Sequence, residues 1–290
     1  TNGVDAIWKY SDGTDPAVVI GGTPPSKALA IATFQNRLLA VNVTDAAGKG
    51  KVQWCLLNNP DDWTSSGSGS ATPILKGGQE LRGIGIVGNE GFVFYERAIF
   101  RIYPTGDAKS PFGFPDHAAS IGALSHQSIV AVQDRGLIFF ASQLGVYKME
   151  APSYQPIKIS HRIDATWEAI NKTRIKKIVA AQHANFNEVW FSISTGSNTT
   201  HSLVLVYDYD RDTWSTVLGA NANWLGTFED SNGDLRLVHG DYNGRVFTNE
   251  SGTNDDGAAI DAFVTSKAYQ LVDGFRLGRV PFANIHIDSQ

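Results

Sequence analysis

The chain has 290 residues, of which 29 are glycine, with 42% hydrophobic and 18% charged residues, so it can bury a sizeable core and is neither disordered nor a long exposed helix. Its net charge of −5 argues against a basic surface that wraps nucleic acid. No apolar run reaches the roughly 18 residues of a membrane helix, and a single cysteine, Cys55, rules out an intramolecular disulfide.

Taken in chain order, the elements are short and aromatic or β-branched, and glycine, asparagine and aspartate mark the turns between them. Residues 5–10 (DAIWKY) read as a lone strand. Residues 29–34 and 37–43 form a pair around Gln35-Asn36, and Trp54-Cys55 lies in a further strand-like run. Residues 81–87, 91–96 and 98–103 follow as a trio, and the same design returns at 128–133, 136–141 and 145–149. It recurs at 178–183, 188–193 and 203–209, and again at 224–229, 234–239 and 244–248. The second strands begin at 37, 91, 136, 188 and 234, a mean spacing of about 49 residues. Four-stranded propeller blades repeat every ~40–50 residues, so the expected fold is an all-β propeller with five blades countable and six possible.

Helical periodicity is confined to residues 160–172, where Ile163, Trp167 and Ile170 share one face and Ser160 can act as N-cap. This predicts one short helix between two blades. Residues 64–72 and 106–120 read as loop insertions. The expected division is a propeller over residues 1–270, with the N-terminal strand closing the ring against the last blade, and a β segment over 271–290 leading out of it. The chain begins at Thr1 and its one methionine is Met149, so a processed chain, or one excised from a longer protein, is expected.

Motifs that resemble chemical signatures are incomplete. Gly83-Ile-Gly85-Ile-Val-Gly88 matches the dinucleotide glycine pattern, but it runs into another strand where a helix N-terminus is needed, so close strand packing is expected instead. Asp208, Asp210 and Asp212 have the spacing of an opening calcium loop, yet Thr213 and Gly219 stand where a glycine and a bidentate glutamate belong; a blade turn is expected. Thr253-Asn-Asp255-Asp256-Gly257 resembles the start of an Asp box, with Ile260 in the aromatic position. No two of the seven histidines lie within four residues of each other, and neither a G-x-S-x-G elbow nor a C-x-x-C pair is present. Cys55 reads as a buried small hydrophobe. No catalytic, cofactor-binding or metal-ligating residue can be named, and no cofactor is expected. The aromatic residues read mainly as packing between blades, with sugar-stacking as the other use.

The succession LRGIGI at 81–86, GFVFYERAIFRIYPTGD at 91–107, GLIFFASQLGVYKM at 136–149, NEVWFSI at 187–193 and LVLVYDYDRDTWS at 203–215 resembles the propeller of tail hub and nozzle proteins, the packaged-DNA stabilisation proteins of short-tailed bacteriophages. The resemblance covers about residues 28–270. It implies a virion protein without catalytic activity: a homo-oligomeric ring that continues the DNA channel, joins portal-adaptor and other tail proteins, lets DNA pass without specific binding and meets no membrane. The alternative expectation is a carbohydrate-binding or glycoside-hydrolysing propeller used in host attachment, in which a carboxylate pair is defined by its separation in space.

Overall fold

A computed structural model describes residues 1–10, 16–43, 48–73, 79–249, 254–255 and 258–259. The chain falls into two compact units, Thr1–Asn249 and Glu250–Gln290. The second is described only by the antiparallel pair Asn254–Asp255 and Ala258–Ala259. The Asp-box resemblance at 253–257 therefore falls mostly outside the described residues, and the segment 271–290 lies entirely outside them.

The first unit is a β-propeller of five antiparallel blades among the described residues. A two-stranded pair, β1 (Trp8–Lys9) and β2 (Val18–Val19), precedes them. Blade one is β3 (Ala28–Phe34), β4 (Arg37–Val43), β5 (Val52–Trp54) and β6 (Gly69–Ala71). Blade two is β7 (Leu81–Val87), β8 (Glu90–Tyr95), β9 (Ala98–Pro104) and β10 (Phe112–Gly113), with β11 (Asp116–Ala119) also pairing with β9. Blade three is β12 (Val130–Val132), β13 (Leu137–Ser142), β14 (Gly145–Glu150) and β15 (Ile157–Lys158). Blade four is β16 (Val179–His183), β17 (Glu188–Ile193), β18 (Leu203–Asp208) and β19 (Thr213–Leu218). Blade five is β20 (Trp224–Glu229), β21 (Leu235–Gly240) and β22 (Val246–Thr248).

Strand alternation explains the stacking. On β8, Phe92 and Phe94 pack toward blade three, whereas Val93 and Tyr95 pack toward blade one. On β13, Ile138 and Phe140 face blade two, and Leu137, Phe139 and Ala141 face blade four. An interior blade is thus apolar on both faces and is sandwiched between neighbours, so its central strands read as continuous hydrophobic runs. Polar side chains at each junction add ties to the backbone of the neighbouring blade, among them Asn42, which donates to the Leu81 carbonyl (2.8 Å), Gln133 to Ile86 (2.7 Å), Ser125 to Ile178 (2.5 Å) and Asn185 to Leu235 (2.9 Å).

Several expectations are corrected. Trp8–Lys9 pairs with Val18–Val19 rather than with a strand of blade five, and Ile7 and Ile20 cover the outer face of blade one. The expected helix is a single turn and a half, α1 (Asp164–Glu168), preceded by a 3-10 turn at Ser160–Ile163. Ser160 does not cap it; its buried hydroxyl accepts from the Val146 N–H at 3.1 Å, while Trp167 and Ile170 are buried against blades three and four as the periodicity requires. The segments read as loops contain the outer strands β6, β10 and β11. No helix among the described residues is long and apolar enough to cross a membrane.

Candidate functional site

Within the glycine pattern at 83–88, Gly83 and Gly85 lie on β7 and serve packing, whereas Gly88 turns the chain toward β8 at a positive φ with open space around it. A Cβ on Gly83 would stand 2.6 Å from Ile129 Cδ1 and 2.8 Å from His126 Nδ1, so only glycine lets blades two and three approach there. The Asp208–Asp212 segment is a closed turn. Asp208 accepts from the N–H groups of Asp210 and Arg211 and pairs with the Arg211 guanidinium, Tyr207 donates its hydroxyl to Asp212, and Asn187 donates to Asp210. These bonds occupy the oxygens that a cation would need, and no metal-binding group of three or more ligands occurs among the described residues. Cys55 is buried, with its thiol pushed up by desolvation.

A different set of residues comes together at one end of blades two and three. The chain passes from blade one through Gln79 and Glu80 into β7, whose pairing with β8 slips register between Leu81 and Gly83. Arg82 sits at that irregularity, and a bulge of this kind re-aims a side chain. Its two terminal nitrogens reach Glu80 (2.8 Å) and Glu96 (3.4 Å), the latter in the turn from β8 to β9. Lys49 completes the Glu80 side at 2.9 Å and Lys176 the Glu96 side at 3.1 Å. The Glu80 carboxyl is held below its usual range by the Lys49 hydrogen bond, helped by the Arg82 charge and opposed by partial burial. Burial pushes Glu96 upward, but the Lys176 hydrogen bond and the Arg82 charge outweigh it and the net direction is down. Both carboxylates therefore stay ionised at neutral pH. A general acid in glycoside cleavage must instead be kept protonated, so this pair orients its cations and is not poised to donate a proton.

Beside this network lies a cleft of about 650 Å³ lined by Gln79, Glu96, Arg97, Ser120, Ser142 and Gln143, with Ala98 and Phe100 among its apolar lining. The turns from β8 to β9 and from β13 to β14 line it together, which places these connections of adjacent blades at the same end. The Arg97 backbone N–H donates to Gln79 Oε1 at 3.2 Å, and its guanidinium donates to Gln143 Oε1 at 3.4 Å.

None of these residues stood out in the sequence, because Glu80, Arg82, Glu96 and Arg97 form no compact motif. The readable signal was the hairpin: residues just before β7 and just after β8 must meet at one end of an antiparallel pair.

No protein-family model matches the sequence, and no curated protein matches it. Among solved structures, the chain is similar to an ancestral GH74 enzyme, a glycoside hydrolase, with 12% identity, a TM-score of 0.52, and coverage of 88% of this chain but 37% of that one. It also matches the dihydro-heme d1 dehydrogenase NirN in complex with DHE, at 10% identity and TM-score 0.49, over 77% of this chain and 45% of that one. The chain thus spans less than half the length of either protein. The first likeness supports the propeller fold. It also corrects the expectation of a non-catalytic protein to this extent: an enzyme carries the same fold, so the fold gives no ground for excluding catalysis. Neither neighbour is a tail hub protein.

Proposed function

We propose that the protein is a carbohydrate-recognising β-propeller whose binding site is the cleft between blades two and three. The observation that carries this reading is the composition of the cleft. Amide, guanidinium, carboxylate and hydroxyl groups from Gln79, Glu96, Arg97, Ser120, Ser142 and Gln143 accompany the apolar Ala98 and Phe100, which suits a ligand with hydroxyl edges and C–H faces. The likeness to a glycoside hydrolase propeller supports the same reading at the level of fold. A glycan array probed with the full chain, followed by a hydrolysis screen on every glycan retained, tests it. Reproducible binding that is lost in a Gln79→Ala/Gln143→Ala double variant is expected. An array without any retained glycan overturns the proposal.

A second reading, the ring-forming tail component implied by the phage resemblance, is favoured by one feature: large apolar side chains of blade five, Trp224, Phe228 and Val246, are exposed, and such a patch suits contact with a second copy of the chain. Native mass in solution tests it. A closed ring of several copies is expected, and a stable monomer at high concentration overturns it.

A further inference from the structure

We infer that the ligand of this cleft is an acidic saccharide, read through a carboxylate that pairs with Arg97; the inference rests on the carbohydrate reading above. Four cations, Lys49, Arg82, Arg97 and Lys176, gather here against two carboxylates, Glu80 and Glu96, so this end is locally positive on a chain whose net charge is −5. The two carboxylates are committed to Lys49, Arg82 and Lys176. Arg97 lies in an exposed turn and has no carboxylate partner among the described residues; its guanidinium meets only the Gln143 side chain, at the long distance of 3.4 Å.

The amides sharpen the selectivity. A backbone N–H and a guanidinium can only donate, so Gln79 and Gln143 must turn their oxygens toward Arg97. Their NH2 groups are then left as donors, and with the guanidinium they give the cleft an excess of donors. A carboxylate offers acceptors only and matches the planar guanidinium fork through two parallel hydrogen bonds. Neutral sugar hydroxyls, which donate as well as accept, would leave the Arg97 charge uncompensated. The apolar Ala98 and Phe100 remain for a C–H face of the sugar ring.

The test uses the purified full chain and an array carrying uronate-bearing, sialylated and neutral oligosaccharides, with titration calorimetry on the best ligand and on its carboxyl-reduced form. Acidic glycans should bind, and reduction of the carboxylate to an alcohol should weaken binding roughly tenfold or more. Arg97→Gln should weaken the acidic ligand to a similar degree, Arg97→Lys should restore part of the loss, and binding should fall as salt is raised. Arg97 is exposed, so an unchanged melting temperature verifies that these variants are folded. Lys109→Gln, which removes the same unit of charge in the connection between β9 and β10, should leave binding unchanged. Equal binding of the carboxyl-reduced ligand, or a silent Arg97→Gln, overturns the acidic assignment while the carbohydrate reading stands. An array with no glycan retained overturns both. Displacement of the glycan by acetate or inorganic phosphate at matching concentration marks a bare anion site and overturns the saccharide assignment.

Discussion

Blades one and five carry similar apolar strand patterns and meet different surroundings. The outer face of blade one is covered: Ile7 and Ile20 from the N-terminal segment pack with Ala28, Ala40, Val43, Cys55 and Trp63, and a Lys9–Asp61 ion pair at 2.5 Å ties the segment to the loop after β5. On blade five, Leu225 and Leu237 pack toward blade four. Its other face presents Trp224, Phe228 and Val246 at 47%, 45% and 70% exposure. The register places Trp224 opposite Gly240 and Val246 beside Gly240 in turn, so Trp224 and Val246 share one face. Blade five is therefore patterned like an interior blade, apolar on both sides, although among the described residues no hydrophobic cluster covers its second face. Alternating hydrophobicity records that a sheet face is to be covered, and the tertiary structure decides what covers it.

Trp63→Ala gives the largest expected effect. Its side chain is 4% exposed within the covered face, and removal should cost about 3–5 kcal/mol, read as a lower denaturation midpoint at unchanged slope. Acidification should come next. His126 lies at the junction of blades two and three, its pKa pushed down to about 4 by desolvation, and its Nδ1 is buried without a partner. The folded state resists protonation that the unfolded chain accepts, so stability is full above about pH 6.5 and declines as pH falls toward 4. A full shift would cost roughly 3 kcal/mol, and the partial exposure of the residue reduces this to on the order of 2; urea titrations at pH 7.5 and 4.5 measure it. Gly83→Ala should follow at about 1–3 kcal/mol, because the new methyl overlaps Ile129 and His126. Trp224→Ala should cost less than about 1 kcal/mol. A loss as large as that of Trp63→Ala would break the comparison, since it would mean that the face of blade five is covered in solution.

The inner and middle strands were legible because their sequences carry apolar residues for both faces of the sheet. Residues 37–43, 81–87, 188–193 and 224–229 are strands with the bounds that their hydrophobic runs indicate. The outer strands were not. Gly69–Ala71 and Asp116–Ala119 carry no β-branched or aromatic residue, and an outermost strand pairs on one side only, so little in its composition separates it from a loop. The helix was overextended because Ile163, Trp167 and Ile170 satisfy a 3.6-residue period that a 3-10 turn and a short helix satisfy equally well. The cleft was illegible for another reason. Arg97 and Gln143 are 46 positions apart, about one blade repeat, and single-residue contacts across a repeat leave no local signature in one sequence.

The side-chain ties between blades have a consequence for cooperativity. Each joins consecutive blades, Asn42 with Leu81, Gln133 with Ile86, Ser125 with Ile178 and Asn185 with Leu235, and the hydrophobic clusters follow the same order. Among the described residues the blades thus form a one-dimensional array of nearest neighbours, in which an interior unit cannot open without losing two interfaces and a terminal unit loses one. Opening should therefore fray from an end. The N-terminal segment guards the first blade, so amide exchange should run fastest in blade five and slow progressively toward blade three, a gradient where a uniformly cooperative domain would show a single plateau.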